Sequence, residues 1–334
     1  MITPTRLSYG VLIATIALAV LLHLGVPLLV LLFSYFALRQ LYFLTKRKWL
    51  ALILFGVVVA GITAAAVYFT RTAILALPDV ADTSIPSASA WAQKRQIELP
   101  FTDFESLRQA VVDTLGQEAQ YLRNVANFAK SAAAAIVFSI LGIVAAGSLF
   151  YKTGLDPYRG THRLKNNLYS ICCDKVSTRF RDFYRSFATV MGAQITISLI
   201  NTALTGIFLV AVRLPHAPLL IAVTFLCGLV PIVGNLASNT VIVFVALTVS
   251  LKLAIVALVF LILIHKLEYL LNSKIIGDRI RNPVWLTLIA LILGERLMGI
   301  PGLILAPVVL NYLRVEMLTV EVPAPSETVE ALNH

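Results

Sequence analysis

Four groups of residues carry polar or ionisable side chains at spacings that could do chemistry, and all four lie in strongly apolar surroundings. His265, Glu268 and Asn272 recur at i, i+3 and i+7, which puts them on one face of a helix. Gln194, Ser198, Asn201 and Thr205 recur at i, i+4, i+7 and i+11, again one helical face. Asn235, Ser238 and Asn239 follow the helix breakers Pro231 and Gly234. Glu295 and Arg296 precede Gly299, Pro301 and Gly302. In a segment of lipid length such groups are costly, so they face other protein or line a water-filled path. Glu268, with His265 beside it, could take up and release a proton or hold a cation. The bland alternative is an interfacial pairing of Glu268 with Lys266 or Lys274. For the face at 194–205 the alternatives are helix–helix glue and a substrate path. Glu295 and Arg296 either neutralise each other or act as a gate. The His-x-x-Glu spacing lacks the second pair a metal centre would need, so no metal site is expected.

The elements that position these groups are membrane helices. Of 334 residues, 59% are hydrophobic and 13% charged. A soluble domain would be about one quarter charged. Several apolar runs reach the roughly 20 residues that cross a bilayer. Leu7–Leu24 and Val26–Leu44 form a hairpin turned at His23, Gly25 and Pro27, and Leu50–Phe69 crosses next. Ser131–Tyr151, Phe187–Val212 and Lys252–Leu271 complete about six full spans.

The net charge of +10 is arranged for a membrane, and no nucleic-acid partner is expected. Lys46, Arg47 and Lys48 follow an apolar run, and Lys152, Arg159, Arg163, Lys165, Lys175, Arg179, Arg181 and Arg185 fill one connection. This is the positive-inside pattern, with membrane lipids and their anionic headgroups as the expected partners. It places both termini in the cytoplasm of a multi-pass protein. Cys172 and Cys173 fall in that basic connection and Cys227 in an apolar run, so no disulfide framework is expected.

Residues 71–130 differ in composition, with one acid more than bases. Residues 78–90 read as a Pro, Ser and Ala linker. Thr102–Asp103–Phe104–Glu105 reads as a capping box opening an amphipathic helix along Leu107, Val111, Leu115, Leu122 and Val125. The chain thus divides into spans 1–3 (1–70), an external helical segment (71–130), and span 4 with a basic cytoplasmic loop (131–186). Span 5 with a first hairpin (187–250), span 6 with a second (251–315) and a disordered tail (316–334) follow.

Leu219–Leu251 runs without a charge, about 50 Å if straight at 1.5 Å per residue. Pro231 and Gly234 break it. A single kinked crossing would put Lys274, Arg279 and Arg281 outside, whereas a re-entrant hairpin puts them inside, so the hairpin is preferred. The apolar run from Pro283 to Leu313 breaks in the same way at Gly299–Gly302. The expected fold is an all-α polytopic membrane protein whose two span-plus-hairpin units form an inverted repeat, with a site between half-helix ends.

No Walker loop, zinc spacing or solvent-placed Ser/His/Asp set is present, and no enzyme activity or cofactor is expected. The stretches LVPIVGNLASN (229–239), HKLEYLLNSKIIGDRI (265–280) and LGERLMGIPGLILAPVVLNYL (293–313) resemble the bacterial autoinducer-2 exporter-like transporter family. Glu268, Gly277, Gly299, Gly302 and Pro307 fall at that family's Glu, Gly and Gly-x-x-Gly positions. The resemblance implies a secondary transporter of the bacterial plasma (inner) membrane. It could export a small polar solute such as an autoinducer-2-like signal, with coupling to H+ or Na+, or act as a sodium–proton antiporter. A membrane scaffold working through the external helix is the alternative from another class, and a homo-oligomer fits either role.

Overall fold

The computed structural model describes residues 4–93, 118–151, 167–231, 233–276 and 283–319. Ten helices make up the described fold: α1 (Pro4–Leu21), α2 (Gly25–Thr45), α3 (Lys48–Gln93), α4 (Glu118–Tyr151), α5 (Leu168–Ala211), α6 (Ala217–Gly228), α7 (Val233–Val249), α8 (Leu251–Ile276), α9 (Val284–Met298) and α10 (Ile300–Leu318). No strand occurs among the described residues. The protein is an all-helical polytopic membrane protein. Five stretches have the length and composition to cross a bilayer: Gly25–Thr45, Lys48–Thr72, Lys130–Tyr151, Leu168–Ala211 and Ile300–Leu318. Many of their large apolar side chains, such as Val57, Ile62, Ile136 and Val144, face outward, as a lipid-bathed surface requires.

Both long apolar runs, the charge-free one at 219–251 and the one at 283–313, fold back on themselves rather than kink. α6 and α7 have 12 and 17 residues, roughly 18 and 25 Å at 1.5 Å per residue. Each is shorter than the roughly 30 Å hydrocarbon core, as a re-entrant hairpin would be. α9 is also short, whereas α10, with 19 residues, is among the stretches long enough to cross. Glycine permits each crossing. A Cβ on Gly234 would enter the Cys227 carbonyl, and one on Gly302 would enter the Gly294 carbonyl. Gly299 turns the second hairpin at φ 65°, a left-handed value that suits glycine. The lead helices α5 and α8 run antiparallel, since Phe208 stacks on Phe260 with ring centroids 4.0 Å apart while Asn201 lies level with Glu268.

Three apolar clusters hold the helices. Leu12, Leu32, Phe187, Met191, Leu305 and Val308 join α1, α2, α5 and α10, and the hairpin-tip residues Val230 and Met298 both pack on this cluster. Leu209, Ile242, Ala246, Ala257 and Leu261 join α5, α7 and α8. Leu38, Ala51, Phe55, Ala146 and Phe150 join α2, α3 and α4.

Several sequence expectations change. The linker at 78–90 is helical, part of α3. No glycine interrupts 62–93, and the alanines at 73, 76, 81, 88, 90 and 92 favour helix despite Pro78 and Pro86. The helical spacing of Leu168, Ile171 and Val176 in the basic connection does mark a helix, but that helix does not stop there: it runs from Leu168 straight into the following span, started by the Asn167 side chain, which accepts the Ser170 N–H at 2.8 Å. α10 continues through Leu318, so Glu316 belongs to a packed helix and not to a tail. The helix expected from Thr102 and the chain beyond 319 lie outside the described residues.

Candidate functional site

The polar face of α5 divides into two parts with different partners. Its lower half serves the end of the first hairpin's descending arm. Gln194 donates through Nε2 to the Gly228 carbonyl at 2.6 Å, and Ser198 donates through Oγ to the Phe225 carbonyl at 2.9 Å. The last turn of a helix leaves carbonyls without amide partners, and away from water they must find donors elsewhere. Gly228 lacks a side chain where a Cβ would collide with Ser198 Oγ. Gln194 and Ser198 therefore tie α5 to the end of α6. Ser198→Ala strips the Phe225 carbonyl of its donor and should cost about 1 kcal/mol, read as a lowered thermal midpoint of the purified protein.

The upper half enters a buried polar chain. Thr205 Oγ1 donates to Asn201 Oδ1 at 3.4 Å, and Asn201 Nδ2 donates to Asn235 Oδ1 at 3.4 Å. Asn235 Nδ2 lies 2.6 Å from both Glu268 oxygens. The chain crosses from α5 through the first residues of α7 to α8, and every bond points its donor toward the carboxylate. Such alignment lets successive bonds polarise one another. Glu268 is only 8% exposed. Ser238 Oγ donates to the Asn235 carbonyl at 3.2 Å, one turn along α7. Asn235 reaches Glu268 because the break at Pro231 starts α7 beside α8, and because Gly234 lets α7 cross closely over Cys227.

Beside Glu268 lies a seam between α5 and α8 too tight to admit a water molecule, walled by Ile197, Ile200, Leu204, Ile264 and Leu267, with Asn201 and Glu268 its polar members. A carboxylate and an amide at the edge of an apolar seam can hold a proton or a small cation, or gate the seam by changing charge.

Not every expected residue joins. His265 keeps its Nδ1 3.7 Å from Glu268 Oε2, yet its side chain is 67% exposed. Asn239 is half-buried in α7, and its side chain makes no hydrogen bond among the described residues. Asn272 follows on α8, beyond that helix's last described side chain. Glu295 and Arg296 do not neutralise each other: both are exposed, and no ion pair joins them among the described residues. The Glu295 carbonyl instead accepts the Gly299 N–H at 2.7 Å, closing the turn. Pro231 sits at the first tip, and Pro301 packs against Gly25 in the α1–α2 turn.

Residues outside the four groups also proved structured. Asn311 is buried in α10, where a lone amide inside an apolar run was a readable signal. Tyr9, Arg179 and Glu316 meet where α1, α5 and α10 converge.

A family model described as AI-2E family transporter matches residues 9–319. The protein of Bacillus subtilis (strain 168) named "Putative transport protein YdbI" is 27% identical over 187 residues, 55% of this chain and 51% of that protein. The chain spans about half the length of the curated relative it matches.

Proposed function

Because the chain belongs to the AI-2E transporter family, we propose that it is a secondary permease in which the charge of Glu268 sets whether the α6–α7 hairpin is held against α8. The observation that carries this reading is the pair of 2.6 Å contacts from Asn235 Nδ2 to the Glu268 carboxylate. An ionised Glu268 accepts both. A proton on the carboxylate sets a donor against the Asn235 amide donors and breaks at least one contact. A cation at the carboxylate competes with the same amide. Uptake of either ion therefore loosens the hairpin from α8, and loss of the ion restores the grip. This is the differential stabilisation of two states that alternating access needs.

The solute is a small polar molecule of the autoinducer-2-like class, coupled to H+ or Na+ and exported when the closed seam between α5 and α8 opens with the hairpin. Asn201 and Glu268 contact it or its coupling ion, while Gln194 and Ser198 hold the hairpin. The protein works in the bacterial inner membrane with both termini in the cytoplasm, its basic residues against anionic headgroups, and it assembles as a homo-oligomer. The meeting of Tyr9 with Glu316, near opposite ends of the chain, supports termini on one side.

A second reading, sodium–proton exchange with no organic cargo, is favoured by one feature. The carboxylate is buried beside neutral amides, and its nearest basic group among the described residues is the exposed His265 at 3.7 Å. Flux separates the two. In proteoliposomes, wild type should convert an imposed sodium or proton gradient into movement of the other ion or of solute, and Glu268→Gln should lose this while keeping its elution profile and helicity. Normal coupled flux in Glu268→Gln removes Glu268 from the mechanism. Sodium-dependent proton movement without solute selects the antiporter.

A further inference from the structure

At the far end of α5 from Glu268, three separated parts of the chain close on one carboxylate. Glu316, in the last turn of α10, accepts a hydrogen bond from Tyr9 Oη of α1 at 2.8 Å and forms an ion pair with Arg179 of α5 through the same Oε1. The Arg179 guanidinium also lies over the Tyr9 ring, 4.1 Å from its centroid. The two charged side chains are only 16% and 13% exposed, so the pair is shielded from solvent. One turn along α5, Arg185 pairs with Asp182 at 3.1 Å but is 69% exposed. Tyr312, one turn before Glu316, packs edge-on to Phe183 of α5, with ring centroids 5.6 Å apart.

A carboxylate at the C-terminal end of a helix opposes the helix dipole. Glu316 is therefore poorly placed for α10 alone, and its partners on α1 and α5 hold it there. The elements it joins belong to both halves of the permease. α10 descends directly from the second hairpin tip, and α5 carries the residues that hold the first hairpin. Roughly 33 Å of continuous helix separates Arg179 from Asn201 at 1.5 Å per residue. A movement of the first hairpin that tilts α5 is thus carried to this junction.

Resting on the permease reading, we infer that Tyr9, Arg179 and Glu316 form a latch that closes the α1–α5–α10 end of the bundle and opens during transport. Its charge neighbourhood places this end in the cytoplasm. Below it, Val308 of α10 is fully buried against α1, α2 and α5 and becomes reachable only when these helices part.

The test uses the full chain with its three cysteines changed to serine and Val308→Cys added, reconstituted with known sidedness and treated with a membrane-impermeant maleimide. Glu316→Gln should speed labelling from the cytoplasmic face about tenfold, a population shift of the closed state. The exchanged pair Arg179→Glu with Glu316→Arg should restore slow labelling, since arginine also suits a helix C-terminus. Unchanged labelling in Glu316→Gln overturns the latch, as does equal acceleration from both faces, which reports general loosening. Failure of the exchanged pair to slow labelling, with the fold intact by elution profile, overturns the ion pair as its cause. The readout needs no transported solute, so it stands whichever way the Glu268→Gln flux experiment falls.

Discussion

Gly302→Ala should lower the thermal unfolding midpoint sharply, while the same change at Gly61 or Gly147 should leave it level or raise it. At 302 the added methyl meets the Gly294 carbonyl carbon and oxygen, and these are backbone atoms that cannot rotate away. The conflict is reciprocal, because a Cβ on Gly294 meets the Gly302 carbonyl. α9 and α10 must separate, which disturbs Ile304, Leu305 and Val308 in the main core. Overpacking of this kind costs about 3 kcal/mol or more where the neighbour is rigid. Gly61 in α3 and Gly147 in α4 have open space where a Cβ would go. There alanine improves helix propensity by about 1 kcal/mol. Gly234→Ala should resemble Gly302→Ala, since its methyl meets the Cys227 backbone. Thermal midpoints in one detergent decide the matter. Equal midpoints for Gly302→Ala and Gly61→Ala would show that the hairpin arms are not in backbone contact.

That contrast marks what a sequence can carry. Gly234 and Gly302 are readable as breaks because they sit with Pro231 and Pro301 in long apolar runs. Their second duty, a backbone crossing against Cys227 or Gly294, leaves no mark at the partner position, since any residue supplies a carbonyl. The same limit applies to the α5 face. Its periodicity placed Gln194, Ser198, Asn201 and Thr205 together, but two of its acceptors are the main-chain oxygens of Phe225 and Gly228. Only the folded hairpin separates the holding residues from the buried chain. Glu268 stood out because a carboxylate in an apolar helix is expensive, whereas Asn235 became its partner through a contact 33 positions distant. His265 shares the Glu268 face by spacing yet turns outward. Residues 78–90 carry a linker's composition of Pro, Ser and Ala, yet no glycine interrupts them and their three alanines favour helix, which is what forms. Glu316 reads as the start of a tail in the sequence, since Pro323 and Pro325 follow it. Its position against the dipole of its own helix was the neglected signal, since such a group persists when another element holds it.

Asn235→Leu should be among the most destabilising single changes in the protein, and pairing it with Glu268→Leu should reverse most of the loss. Among the described residues Asn235 supplies the only close donor to Glu268, at 2.6 Å to each oxygen, with His265 Nδ1 at 3.7 Å. Leucine leaves a carboxylate buried at 8% exposure without that donor and removes the acceptor used by Asn201. Stripping one partner from a buried charged contact costs about 3–5 kcal/mol. Removing both partners is different, because two apolar side chains of similar volume have no unmet polar demand. The double variant should therefore recover most of the midpoint, a coupling energy of about 2 kcal/mol or more. Flux must not follow stability. If Glu268 only fastened α8 to the hairpin, the well-folded double variant would transport normally, since two leucines also fasten. If the charge of Glu268 controls the grip, the double variant is locked, and coupled flux is lost at wild-type thermal stability. A stable and active double variant would reduce the chain from Thr205 to Glu268 to a structural tie. A stable and silent one would mark it as the element through which an ion moves the hairpin.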